Sequence, residues 1–227
     1  MATVRRYQRH APGAGLTSLV LLLLLAGCDM FRPALPELGG TGISIIANYS
    51  SPDSCLRYMK LGIEAKAQGQ ELYISALADT SVDKLAGFRA WFDPAVERLF
   101  TFRPDAWLLA NERDFFSDFV TKRNYPYLME WQPDSLNSDD RADRGGGAYA
   151  VLHRHYQVFS IEPTQQGQDS LLIAVGYADL YFIRISPSRW ALRRWDDRVD
   201  PAVGAQPREP FQQGFSFSYR RLATSGG

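Results

Sequence analysis

Apolar residues recur along this chain at two periods, about 3.6 residues in the first half and about 2 in the second, which predicts helices followed by strands. The stretch "NYSSPDSCLRYMKLGIEAKAQGQELYISALAD" opens the ordered part. Ser51 suits an N-cap, Pro52 the first helical position and Asp53 the positive end of the helix dipole. Leu56, Met59, Ile63 and Ala67 then form one stripe that Gly69 ends, and a second short helix is expected over Gln70 to Ala78 with Tyr73, Ala76 and Leu77 on one side. "GFRAWFDP" alternates and reads as a strand, whereas "NERDFFSDFVTK" (Asn111 to Lys122) predicts a third helix with Phe115, Phe116 and Phe119 buried. From there the chain is strand-like: Tyr125 to Trp131, Ala148 to Ile161, Ser170 to Ile185 and Arg189 to Asp197. Gly176, inside the longest of these, suggests a bulge.

Between the strands, "QPDSLNSDDRADRGGG" reads as a mobile hairpin loop. It is no phosphate cradle, since no Lys-Ser/Thr follows its glycines. After Asp200, "VDPAVGAQPREPFQQG" is linker-like, and the alternation of Phe215, Phe217 and Tyr219 suits an added edge strand, so the tail is expected to be peripheral. No internal repeat is visible.

The order helix, helix, strand, helix, long strands resembles the nuclear transport factor 2-like superfamily (SnoaL-like, with a cystatin-like cone). The opening helix pair, the aromatic strand "GFRAWF" and the ending Trp190-x-Leu192-x-x-Trp195-x-Asp197 carry the likeness. The resemblance implies an α+β fold in which N-terminal helices pack on a strongly curved antiparallel sheet, over residues 47–199, with 200–227 as an extension. It does not settle activity, because the superfamily mixes isomerases, dehydratases and cyclases with binding proteins that catalyse nothing.

The N-terminus changes the picture of where the chain works. Arg5, Arg6 and Arg9 precede the apolar run Leu16 to Leu25, which has the order of a secretory signal and is shorter than the roughly 20 residues that span a bilayer. Leu25-Ala26-Gly27-Cys28 resembles the lipobox of bacterial lipoproteins. That implies cleavage after residue 27, acylation of Cys28, a linker over 28–46 and a cell-envelope protein tethered to a membrane on the periplasmic side. Asp29 resembles an inner-membrane retention signal, with the outer membrane the alternative. Loss of the three arginines leaves 22 Lys and Arg against 25 Asp and Glu, a net charge of about −3 that offers nothing to nucleic acid. With Cys28 acylated, Cys55 has no disulfide partner and reads as a small buried hydrophobe.

Candidate chemistry concentrates in "AYAVLHRHYQVFSI". On a strand, Leu152, Arg154, Tyr156 and Val158 share one face, and His153 and His155 the other. The family's Tyr-x-hydrophobic stretch resembles "HYQV" and implies that Tyr156 faces the helices, which puts the histidines outside; a bulge would reverse this. Arg154 on the inner face needs an acid or an anionic ligand. Asp179 is expected outside with Tyr177 and Tyr181. Catalytic relatives imply a carboxylate or histidine on the concave face without a metal, so Arg154, Tyr156, His153, His155 and Asp179 are the candidates for a cofactor-free isomerase, dehydratase or cyclase. Two histidines two apart make half a metal site with no third ligand in sight, and no cofactor is expected. The leading expectation is a non-catalytic module taking a small hydrophobic or anionic ligand in the cone, or a partner. A homodimer through the outer sheet face, and a structural role in envelope assembly, are further expectations.

Overall fold

The computed structural model describes residues 47–83, 87–101, 104–137, 139–141, 147–165, 167–204 and 215–225. The signal segment, the lipobox with Cys28 and Asp29, and the linker as far as residue 46 lie outside them. The compact unit runs from Ile45 to Gly227. Among the described residues no helix is long and apolar enough to cross a membrane.

Helix α1 (Pro52–Glu64) starts as expected: Ser51 Oγ accepts from the Ser54 amide at 3.1 Å while Ser54 Oγ accepts from the Ser51 amide at 2.9 Å, a reciprocal capping box. Its end differs from the expectation. It stops at Glu64, Lys66 takes a left-handed φ of 58°, and a 3-10 turn (Lys66–Gly69) leads into α2 (Gln70–Ile74). The reason is backbone contact: a Cβ on Gly69 would lie 2.1 Å from Gly62 O, so the two segments cross where neither carries a side chain. Lys66 secures the crossing by donating Nζ to the carbonyls of Arg123 and Tyr125. The second helix is also shorter than expected, because Ala76 and Ala78 leave it to exchange backbone hydrogen bonds with Leu192.

Short elements follow: α3 (Thr80–Asp83), β1 (Arg89–Trp91), α4 (Pro94–Glu97) and β2 (Trp107–Leu108). Then come α5 (Leu109–Thr121), β3 (Tyr127–Pro133), β4 (Tyr149–Thr164), β5 (Gly167–Ser186), β6 (Arg189–Arg198) and α6 (Phe217–Ser225). The six strands form one sheet in the order β2-β1-β6-β5-β4-β3, antiparallel except for the parallel pair β1–β6. This is an α+β architecture of helices packed on a large curved sheet. Register shifts at Val158/Phe159, Tyr181/Phe182 and Arg184/Ser186 mark where the long strands bend. Gly176 is not among them: it pairs in register with Tyr156, and a Cβ there would lie 2.5 Å from Tyr156 Oη. The glycine makes room for the tyrosine.

One core joins helices and sheet, with Met59 and Ile63 of α1, Tyr73 of α2, Phe115, Phe116 and Phe119 of α5, Tyr156 and Val158 of β4, Leu180 and Phe182 of β5 and Trp195 of β6. Phe217 of α6 belongs to it too, which corrects the expected peripheral tail. Among the described residues of the tail, Phe215 makes a single parallel bridge to Ala174 of β5, and the chain runs on as a helix whose Phe217, Arg221 and Leu222 are fully buried. The alternating phenylalanines concealed the i, i+4 pair of Phe217 and Arg221, since an arginine does not register as a core position. The loop expected to be mobile is anchored at its described residues: buried Asp134 binds Arg198 at 2.7 Å, and Arg141 pairs backbone to backbone with Val151.

Candidate functional site

Strand β4 divides the candidates between two faces as its alternation predicted. Leu152, Arg154, Tyr156 and Val158 are buried toward the helices, and His153 and His155 lie on the outer face with side chains only 12% and 15% exposed.

On the inner face Tyr156 meets Asp197 of β6. Tyr156 Oη donates to Asp197 Oδ1 at 2.7 Å and accepts from the Phe217 amide at 2.7 Å. Asp197 Oδ1 also receives Trp195 Nε1 at 3.3 Å, and Oδ2 receives the Ser218 amide at 2.6 Å. The first amides of α6, which have no intrahelical acceptor, thus end on the sheet's carboxylate and hydroxyl, where negative charge also suits the helix dipole. Burial pushes the Asp197 carboxyl above its ordinary range, against the pull of Arg221 and the donors around it. Burial, then the nearby Asp197 charge, holds the Tyr156 phenol well above its usual value.

A second polar cluster lies deeper. Glu112 of α5 is bound bidentately by Arg221 of α6 at 2.7 and 2.8 Å, and accepts from Tyr73 Oη and Trp107 Nε1 at 2.6 Å each. Both charged side chains are fully buried. The Arg221 guanidinium sits 4.5 Å from the Trp195 ring centroid, so it ties the two clusters together. Phe217 fills the space between them, stacked on Tyr156 with ring centroids 4.7 Å apart and packed edge-on against Trp195, Phe115 and Phe119.

Asp197, Glu112 and Arg221 were missed as site residues, though two had a readable signal. Asp197 is two residues from the core Trp195 and shares its face, and Glu112 stands at positions −3, −4 and −7 from the buried phenylalanines of α5. Arg154 is met by acids of the chain itself: Nη1 donates to Asp140 at 2.7 Å and Nη2 lies 3.4 Å from Asp53.

Outside, His153 Nδ1 lies 2.6 Å from Asp179, which also receives Arg198 Nη2 at 3.0 Å, and the same nitrogen of Arg198 binds Asp134. Although burial works against its charge, Asp134 is held below the ordinary carboxylate range by Arg198 and the Leu136 amide. His155 Nε2 is 3.1 Å from Asp200, and its ring packs on Tyr177. The candidates therefore do not converge on one centre: Tyr156 and Arg154 lie inside, and His153, His155 and Asp179 outside. Among the described residues no group of three or more His, Cys, Asp or Glu is placed to hold a metal ion. A concavity of about 520 Å³ at the tip of the β4–β5 hairpin, lined by Thr164, Gln165, Gln168 and Asp169, involves none of the candidates.

No family model and no curated protein matches the chain. Solved structures similar to it include a protein of unknown function from Mycobacterium tuberculosis, at 12% identity and a TM-score of 0.45 over 77% of this chain and 82% of that one. A protein from Novosphingobium aromaticivorans assigned as a scytalone dehydratase shows 7% identity and a TM-score of 0.42 over 64% and 79%. A dehydratase of the nuclear transport factor 2-like family assigned in Streptomyces avermitilis shows 12% and 0.38 over 65% and 97%. At these identities and TM-scores the neighbours assign neither family nor activity to this chain.

Proposed function

We propose that this chain is a lipid-anchored cell-envelope protein, tethered through Cys28, whose folded unit is a non-catalytic binding module working through the outer face of its sheet. The observation that carries the reading is the seating of α6. The Tyr156–Asp197 pair, an inner arrangement with the look of acid–base chemistry on the sheet's own strands, is engaged by the Phe217 and Ser218 amides, and the Phe217 ring covers it. An acid or base must come within hydrogen-bond reach of the proton it moves, and here a helix of the same chain holds that position. The outer face instead carries the His153–Asp179–Arg198 and His155–Asp200 pairs, partly exposed, with His155 and Arg198 against Tyr177, chemistry suited to recognition by a ligand, a partner protein or a second copy.

A cofactor-free acid–base enzyme is the second reading, favoured by the raised pKa of the buried Asp197 carboxyl. Hydrogen exchange of the full-length protein separates the two. The binding-module reading expects the Phe217 and Ser218 amides to exchange only through global unfolding, as slowly as the most protected amides of β5. Exchange of these two amides through a local opening of α6, with the sheet still protected, would overturn it in favour of the enzyme.

A further inference from the structure

The outer face has a corner that neither the histidines nor the inner clusters use. Trp91 of β1 is 54% exposed, the largest aromatic side chain among the exposed hydrophobics. Across the parallel β1–β6 pair it stands beside Asp196, while Arg194 is in register with Tyr181 of β5. The Arg194 guanidinium lies 5.1 Å from the Trp91 ring centroid and 4.9 Å from that of Tyr181, so it is flanked by both rings. Asp196 holds it in a fork, Nε to Oδ1 and Nη2 to Oδ2, both at 2.6 Å. A bidentate pair of this kind is geometrically fixed and leaves Nη1 and further carboxylate lone pairs outside the fork, on side chains 46% and 21% exposed.

The corner thus combines an apolar ring with a rim that offers hydrogen-bond donors and acceptors side by side. Vicinal hydroxyls need both, since each donates to a carboxylate and accepts from a guanidinium, and the C–H face of a pyranose packs on an indole. A protein partner is less well served. Arg194 and Asp196 already neutralise each other, and a single indole is far smaller than the contiguous apolar centre of a protein interface of about 1,600 Å². Arg89, exposed and in register with Arg194, adds donors at the rim.

We propose that Trp91, Tyr181, Arg194 and Asp196 form a platform that binds a pyranose ring of an oligosaccharide, which rests on the outer-face reading above and names its ligand class. The test is a titration of ¹⁵N-labelled full-length protein, in a detergent without a sugar headgroup, with cellotetraose, maltotetraose and tetra-N-acetylchitotetraose. The indole signal of Trp91 is the one that Trp91→Ala lacks. At least one sugar is expected to shift that signal, and Trp91→Ala and Arg194→Lys should each weaken its binding at least about tenfold with unchanged thermal midpoints. The proposal is overturned if none of the three shifts the signal at about 10 mM, if either variant binds as the wild type does, or if adenosine binds there while the sugars do not. Absence of sugar binding, with the Phe217 amide still protected, would remove the platform and leave the binding-module reading in place.

Discussion

Cys55 shows how much one buried side chain couples to solution conditions. Its thiol is fully buried on α1 and donates to the Trp190 carbonyl at 3.4 Å, and burial pushes its pKa from 9.0 to about 12. The unfolded chain releases this proton near its ordinary value and the folded chain holds it longer. The stabilisation from the protonated thiol is therefore whole below about pH 9 and lost as pH rises toward about 12. Buried tyrosines with raised pKa values add to the fall only above about pH 10, and comparison with Cys55→Ala isolates the share that the thiol contributes. Urea midpoints at pH 8, 9 and 10 should show wild type losing up to about 1.4 kcal/mol per pH unit relative to Cys55→Ala; parallel curves would refute the assignment. At this scale the sequence was readable wherever parity or spacing placed a residue: Cys55 as a buried hydrophobe, Tyr156 inside, His153 and Asp179 outside. It was not readable for Arg221, whose burial depends on Glu112, 109 positions away in the chain.

Among the elements, α6 is the one whose loss should matter most. The sequence reading made the chain beyond Val199 dispensable, but the structure leads to the opposite outcome. Removing it strips Phe217, Arg221 and Leu222 from the core and leaves Glu112 and Asp197 buried without their main partners. A chain ending at Val199 is expected to lose cooperative unfolding. The single change Arg221→Ala should destabilise by about 3–5 kcal/mol, the range for a buried charge left unpaired, whereas Arg221→Met combined with Glu112→Leu should recover only part of that, because it removes the unpaired charge but leaves the Tyr73 hydroxyl and Trp107 indole N–H without their acceptor. Urea midpoints of the three proteins check this, and an Arg221→Ala midpoint within error of wild type would show that the ion pair does not hold the helix. The helix boundaries of α1 and α2 were misplaced for a related reason. The Gly62–Gly69 crossing and the Leu192 hydrogen bonds that end α2 early are contacts between segments, and a stripe along one segment contains no trace of them.

For the whole molecule the proposed anchor would set where the proposed binding face operates. Cys28→Ala should abolish palmitate labelling and, once the remaining signal is cut, release the protein from membranes into the soluble envelope fraction, as read by labelling and fractionation; labelling that survives the change would remove Cys28 as the acylated residue. Density-gradient separation of the wild type would place it in the inner membrane, as Asp29 suggests, or in the outer.

The sequence by itself determined the class of the fold, the run of helices before strands, and the face on which each β4 residue lies. These follow from periods of apolar positions, which are local, and from the strict alternation of a strand. It also supplied the ordered N-terminal pattern behind the proposed anchor. Only the tertiary structure decided that β1 runs parallel to β6, that Gly176 yields its space to Tyr156, and that the last eleven described residues cross back to seal the inner face. Each of these depends on which distant segments meet, and a buried ion pair such as Glu112–Arg221 looks in sequence like two ordinary surface charges until the fold brings them together.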